Sequence, residues 1–418
     1  MNSELSNLSA VIPMGGKGTR LKEISGDTPK ALFPINGKST IERCCEQLIK
    51  NGIRKIFITL AYNNKICSEI IKKLEEKYSI SIKQYIENEP MGECGALWEI
   101  KNELTEKIFF INGDLIFSIS FKKLISFHNR VNSQLTLVTH ITDHPEDSDL
   151  IGAPNGTQIE KISFKNEPIN LSDNLYLGNA AIAVINKELL NKVNRPTNFS
   201  SASLFNHLVK NSFYSGIRVY SYNTTEYIKD MGTKARFLKV EKDLENNLVY
   251  KNNYDFKQKA LFVDRDNTLI YCDKEEYILN SLHLKFIDKN IKIISDISKE
   301  FNFVCLITNQ PQISMGLISY EVLDEIHSKL LKYCLKLDLR IDLITFCPHH
   351  PHGGFLNEMK YLKKDCFCRK PQPGMILEQE FLRNIDLKNS LFIGDSIIDQ
   401  KAAENAGVPF KNIKDILK

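Results

Sequence analysis

The 418-residue chain lacks any apolar run approaching the roughly 18 residues that a membrane helix needs. Its opening, MNSELSNLSAVIPM, lacks the basic start and the long apolar stretch of a secretory leader. The expectation is a cytoplasmic protein with no membrane partner. An excess of one charge is missing too. The chain has 55 Lys and Arg against 51 Asp and Glu, a net charge of +4. A nucleic-acid partner usually leaves a concentrated basic face, so none is expected. There is no internal repeat and no low-complexity tract. With 42% hydrophobic and 25% charged residues, disordered and collagen-like classes are also excluded.

What is present suggests two domains. At roughly 100–200 residues each, the length allows two or three. Strand-like runs at Ser9–Met14, Lys55–Ala61, Ile80–Ile86 and Lys107–Asn112 alternate with helical periodicity at Ile41–Asn51 and Lys65–Tyr78. That alternation predicts βαβ units and a largely parallel sheet. A stretch rich in Asn and charge, Glu241–Lys259, breaks the pattern, and alternation resumes at Ala260–Val263, Phe303–Ile307 and Leu391–Ile393. The expected division is a first domain over 1–245, a linker over 246–258 and a second domain over 259–418. Oligomeric state is left open, a homo-oligomer included.

The first strand runs into Gly15-Gly16-Lys17-Gly18-Thr19-Arg20-Leu21. Glycines there let backbone N–H groups turn toward a phosphate, and Arg20 adds a fork of donors. Pro29-Lys30 supplies a second cation. The loop is neither G-x-G-x-x-G nor the P-loop pattern. It resembles the opening of the sugar-phosphate nucleotidyltransferases, G-G-x-G-T-R-L followed by P-K and G-K-P-x-I-E, with Ser39 at the usual proline. Glu89-Pro90-Met91-Gly92, Asn112-Gly113-Asp114 and Asp230-Met231-Gly232-Thr233 resemble later motifs of that family. The resemblance implies a base pocket at Glu89 and Gly92 and nucleotide contacts from Gly15, Gly16, Gly18 and Thr19. Arg20 and Lys30 would offset charge at the phosphates. Asp114 and Asp230 are hard oxygen ligands suited to Mg²⁺. Asn179-Ala180-Ala181-Ile182-Ala183 stands at the family's N-A-G-I-Y, with Asn179 toward a sugar hydroxyl. The phosphate-binding lysine of the family's E-K-P is Lys161, Lys165 or absent.

In the second half, Asp264-Arg265-Asp266 closes an apolar strand. Aspartates at i and i+2 suit a carboxylate nucleophile, Asp264, and a proton donor and acceptor, Asp266. Thr308-Asn309 can bind a phosphate oxygen, and Arg369-Lys370 can neutralise a transferring phosphoryl group. Asp395, with Asp399 four residues on, joins Asp264 and Asp266 in a second Mg²⁺ site. This is the motif order of the haloacid dehalogenase superfamily of phosphatases. Gaps of 43 residues between Asp264 and Thr308 and 61 between Thr308 and Lys370 leave no room for a large cap. Asn267 stands where the related branch has glycine, and asparagine tolerates positive φ.

The ten cysteines are spread through the chain, which argues against disulfides in the cytosol. Three of them gather beside histidines as Cys347-Pro348-His349 and Cys366-Phe367-Cys368. C-x-H…C-x-C suits a structural tetrahedral Zn²⁺, with His350 or His352 as substitutes for His349. The surrounding sequence resembles the heptose bisphosphate and histidinol phosphatases. Together the resemblances imply an α/β chain: a Rossmann-like (GT-A-like) mixed sheet, then a haloacid dehalogenase-type parallel sheet with a zinc loop. They imply a bifunctional enzyme that joins a heptose 1-phosphate to GTP and hydrolyses a heptose bisphosphate. Alternatives are a cytidylyltransferase/phosphatase acting on a polyol or ketose phosphate, and a non-catalytic nucleotide-sensing protein.

Overall fold

The computed structural model describes residues 3–14, 28–60, 65–87, 91, 94–142, 145–153, 157–163, 175–193, 216–272 and 277–416. Among these, no helix is long and apolar enough to cross a membrane. The first half is built on a nine-stranded sheet. Its main path runs Lys161–Ser163, Leu150–Gly152, Leu177–Asn186, Lys107–Ile111, Ser9–Pro13, Lys55–Leu60, Ile82–Ile86, with Leu135–Ile141 and Val219–Asn223 joined to it through Leu177–Asn186.

The sheet is mixed rather than largely parallel. Strands Lys107–Ile111, Ser9–Pro13, Lys55–Leu60 and Ile82–Ile86 are parallel, which needs the crossover connections that helices supply. Leu177–Asn186 pairs antiparallel with three neighbours. The helical periodicity that signals βαβ units covers only the first eighty residues; the mixed sheet is the one the family resemblance implies. Apolar alternation drives both faces. Helix Thr40–Lys50 buries Ile41, Cys44, Cys45, Leu48 and Ile49 and is capped by Ser39, which accepts from the Glu42 N–H. The serine at the usual proline therefore has a capping role.

The second half is a five-stranded sheet in the order Leu343–Cys347, Phe303–Asn309, Ala260–Val263, Leu391–Gly394, Phe410–Asn412, with every pair parallel. The first strand of the domain is central, and the order reverses beside it. Ligands bind such sheets at the carboxyl ends of the strands flanking that reversal. Among the described residues, helix Asp288–Ser298 and the short turn Ser281–His283 are the elements between Asp264 and Thr308, so no large cap is inserted there.

Residues 246–258 are packed against both halves. Tyr254 is 1% exposed, and Val249, Asn253 and Gln258 are buried. The Tyr254 hydroxyl accepts from the Thr225 N–H at 2.8 Å, and the Gln258 N–H donates to the Asn384 carbonyl at 3.0 Å. One apolar cluster continues from Leu135 and Leu137 of the first sheet to Leu323, Leu330 and Leu331 of the second domain.

Candidate active sites

In the first domain, Asp114 follows the strand Lys107–Ile111 on a tight turn. A Cβ on Gly113 would meet the Pro13 carbonyl at 3.0 Å and Met14 at 3.2 Å, so glycine lets the two strand ends approach. Thr40 Oγ1 donates to the carbonyls of Ala31 and Gly113, tying the Lys30 turn to the Asp114 turn. Lys30 Nζ then sits 2.7 Å from Asp114 Oδ2 and 3.9 Å from Asp230 Oδ1. The structure thus brings together three residues spread over 200 positions of sequence.

Sequence reasoning missed Arg236. Its Nη1 donates to both Asp230 oxygens at 2.9 and 3.2 Å, and its Nη2 pairs with Asp147 at 2.7 Å. The Gly232 N–H adds a bond to Asp230 Oδ1 at 2.6 Å. Burial pushes the Asp230 carboxyl up, but Lys30, Arg236 and that N–H outweigh it and hold it below the usual carboxylate range. Arg236 lies in the first turn of the helix Lys234–Glu245 that Thr233 caps, a place that by itself does not mark it as the partner of Asp230. Asp114 and Asp230 are each more than a third exposed. Two accessible carboxylates flanking one ammonium fit a divalent cation with bound phosphates.

Asn179 lies in Leu177–Asn186 at a register shift, and its Oδ1 accepts from the Ala181 N–H at 3.2 Å. Ala181 has φ +56°. The family's glycine at that place is explained by the left-handed backbone, which alanine adopts here at a cost of about 1–2 kcal/mol. Lys161 is exposed at the sheet edge. Gly15, Gly16, Gly18, Thr19, Arg20, Glu89, Gly92 and Lys165 lie outside the described residues.

In the second domain, Asp264, Thr308–Asn309 and Asp395 occupy the carboxyl ends of three adjacent strands. Carboxylate oxygens of Asp264, Asp395 and Asp399 lie within 4.8 Å of one another. Lys370, 5% exposed, donates to Asp264 Oδ1, to Asp399 Oδ1 at 2.6 Å and to the Ile307 carbonyl at 2.9 Å. Asp399 also completes a capping box with Ser396, and a Cβ on Gly394 would stand 2.7 Å from the Asp399 side chain. Three carboxylates against one ammonium leave a local excess of negative charge. Burial pushes Asp264 up to about 7, opposed by Lys370 and assisted by Asp399 and Asp266. Asp395 is raised by burial and then by Asp399. This donor set of hard oxygens fits a divalent cation.

One expectation changes. The Asp266 carboxylate is not part of the metal-ready group. Arg265 holds it, with Nε at 2.9 Å and Nη2 at 3.1 Å, and Gln310 Nε2 approaches at 3.3 Å. Asn309 spends its amide on the Lys370 backbone, donating to the carbonyl and accepting from the N–H, both at 3.0 Å. These bonds tie Asn309 to the Lys370 backbone. Thr308 is fully buried and accepts from Gln310 at 2.8 Å. Asn267 does take positive φ, +59°.

Cys347, His349, Cys366 and Cys368 converge within 4.8 Å. Their sulfurs are 3.2–3.5 Å apart, and His349 Nδ1 is 3.2 Å from Cys368 Sγ. A disulfide is about 2.05 Å, so these are thiols gathered around a point. Three sulfurs and one imidazole form a soft tetrahedral donor set. His350 is excluded from it and bonds the His352 carbonyl at 2.9 Å. Arg369 Nη1 donates to the His349 carbonyl at 3.1 Å, linking this loop to the phosphatase-like cluster.

Two family models match the chain. Residues 9–247 match the nucleotidyl transferase family, and residues 259–412 match the polynucleotide kinase 3 phosphatase family. Similar curated proteins include the mannose-1-phosphate guanyltransferases of Yarrowia lipolytica, 28% identical over 237 residues, and Aspergillus oryzae, 28% identical over 242 residues. Each match takes in 55% of this chain and 62% of the relative, so the chain spans under two thirds of their length. Among solved structures, HddC from Yersinia pseudotuberculosis is 24% identical with TM-score 0.47, covering 57% of this chain and 99% of that one. The D,D-heptose 1.7-bisphosphate phosphatase of B. bronchiseptica is 27% identical with TM-score 0.31, covering 36% of this chain and 78% of that one.

Proposed function

Because the chain belongs to the nucleotidyl transferase family through its first domain and carries a phosphatase-type second domain, we propose that it is a bifunctional enzyme of nucleotide-sugar synthesis. The observation that carries this reading is the pair of separate lysine–carboxylate clusters, Lys30 with Asp114 and Asp230, and Lys370 with Asp264 and Asp399. The transferase domain is placed at 1–245, the connecting segment at 246–258 and the phosphatase domain at 259–418. The setting proposed is the cytoplasm.

In the first site an oxygen of a sugar 1-phosphate attacks the α-phosphorus of a nucleoside triphosphate, and pyrophosphate leaves. Lys30 and Arg20 offset the charge that gathers on the phosphates. Asp114 and Asp230 would hold Mg²⁺, which when bound neutralises phosphate charge. GTP is the donor favoured by the guanyltransferase relatives, and the motif resemblance favours D-glycero-D-manno-heptose 1-phosphate as acceptor.

In the second site an Asp264 oxygen attacks the phosphorus of a monoester such as heptose 1,7-bisphosphate. Asp266 gives its proton to the leaving alkoxide, then takes one from the water that hydrolyses the aspartyl phosphate. Lys370 neutralises phosphoryl oxygens throughout. Asp264, Asp395 and Asp399 would hold a second Mg²⁺. Cys347, His349, Cys366 and Cys368 would hold a structural Zn²⁺, since four protein ligands leave no open position.

The test is to incubate the protein with Mg²⁺, each nucleoside triphosphate and candidate sugar phosphates, reading pyrophosphate and phosphate separately. Pyrophosphate release with GTP and heptose 1-phosphate, and phosphate release from heptose 1,7-bisphosphate, are expected. Turnover confined to CTP with a polyol phosphate would replace the heptose reading. No turnover with any pair would overturn the enzymatic one.

A further inference from the structure

Between the two domains lies a cavity of about 590 Å³ whose wall includes His349 and Cys368 of the thiol cluster but none of Lys30, Asp114, Asp230, Asp264, Lys370 or Asp399. Phe127 and Tyr222 line it from the first domain, and Tyr320, Phe346, Tyr361 and Arg383 from the second. The Phe127 and Tyr222 rings are 5.3 Å apart, and the Tyr320 and Phe346 rings 6.2 Å. Small-molecule sites take this form: about 300–1,000 Å³, at a domain boundary, aromatic, with few polar groups.

The guanidinium on this wall is that of Arg383, 6% exposed at the end of helix Gly374–Arg383. Nη1 donates to Gln379 Oε1 and Nη2 donates to the Asn223 carbonyl at 2.7 Å. Among the described residues no carboxylate pairs with it, and the one carboxylate on the cavity wall, Glu378, is exposed. The helix C-terminus offsets only about half a charge. A buried guanidinium with neutral partners is costly, and an anion would relieve that cost.

We propose that this cavity is a second nucleotide site, separate from the transferase centre. The phosphate of the nucleotide meets Arg383, and its base lies among the aromatic rings, where stacking contributes about 1–3 kcal/mol. The wall includes Ser221 and Asn223 from one sheet and Leu343 and Thr345 from the other, so a bound nucleotide touches both domains.

Hydrogen exchange of the full-length protein with GDP, and with guanosine at the same concentration, tests this. GDP is expected to slow exchange in both Val219–Asn223 and Leu343–Cys347, and guanosine to leave them unchanged. Arg383→Met should lose that protection, at least ten-fold in GDP concentration, while both turnovers stay within about two-fold. Protection confined to the surroundings of Lys30 and Asp114 would overturn the proposal. So would equal protection by guanosine, or protection retained in Arg383→Met. Should Arg383→Met fail to fold, the GDP and guanosine comparison on the wild-type protein decides.

Discussion

The guanidinium of Arg265 is fully buried, yet its only ionic partner among the described residues is the Asp266 carboxylate beside it. Such a clamp fixes where a proton donor points. In the sequence, Arg265 is the middle of the D-R-D motif that the phosphatase resemblance includes, but the motif gives it no role. The motif did mark Asp264, Asp266, Lys370 and Asp395, because a reacting group needs a particular side chain at a strand end. Arg236, which holds Asp230, escaped for the same reason as Arg265: positioning depends on three-dimensional neighbours. If Arg265 orients Asp266, then Arg265→Met should slow the first turnover most where the leaving oxygen needs a proton. Rapid-mixing measurements should show at least a ten-fold loss with an alkyl phosphate. With 4-nitrophenyl phosphate, whose phenolate departs unprotonated, the loss should stay within about three-fold. Equal losses on both substrates would assign Arg265 a purely structural role.

At the scale of elements, the segment 246–258 shows what composition hides. Its Asn and Lys content reads as solvated chain, but Tyr254 and its neighbours close the space between the domains. The Glu226 carboxylate anchors this wedge, accepting from the N–H groups of Ser120 at 2.7 Å and Tyr254 at 2.9 Å and from Thr224 Oγ1 at 3.1 Å. Burial lifts Glu226 to about 8, against the pull of those hydrogen bonds. Folded protein therefore keeps a proton there that the unfolded chain releases near pH 4.5. Stability falls as pH rises from that value toward 8, by up to about 1.4 kcal/mol per unit. Denaturation midpoints measured between pH 5 and 8 should decline more steeply in the wild type than in Glu226→Gln; parallel slopes would contradict the assignment. The thiol loop was more legible, because ligand pairs at fixed short spacing survive without tertiary context. If the loop holds the proposed zinc, Cys366→Ser should lower the zinc content and, through the Arg369–His349 link, reduce phosphate release at least ten-fold while sparing pyrophosphate release. Elemental analysis comes first: under half an equivalent of zinc in protein prepared without chelator would end that expectation.

Over the whole molecule, two sheets of different topology each carry a lysine among carboxylates at strand ends. The parallel second sheet was legible because every strand is followed by a helix or loop of the right length. The antiparallel half of the first sheet leaves no mark in the alternation, since Leu150–Gly152 and Lys161–Ser163 are three-residue strands and no helical period separates them from Leu177–Asn186; there the mixed sheet is implied by the family resemblance alone. The shared apolar cluster and the packed wedge make the domains structurally continuous, but the account holds that their chemistries are independent. The direct measurement follows pyrophosphate and phosphate release in parallel on folded Asp264→Asn and Asp114→Asn proteins, with Mg²⁺, GTP and heptose phosphates. Asp264→Asn should abolish phosphate release and leave pyrophosphate release within a few-fold of wild type. Asp114→Asn should do the reverse, losing orders of magnitude in transfer alone. A single substitution that silences both activities in a folded protein would contradict the two-site account.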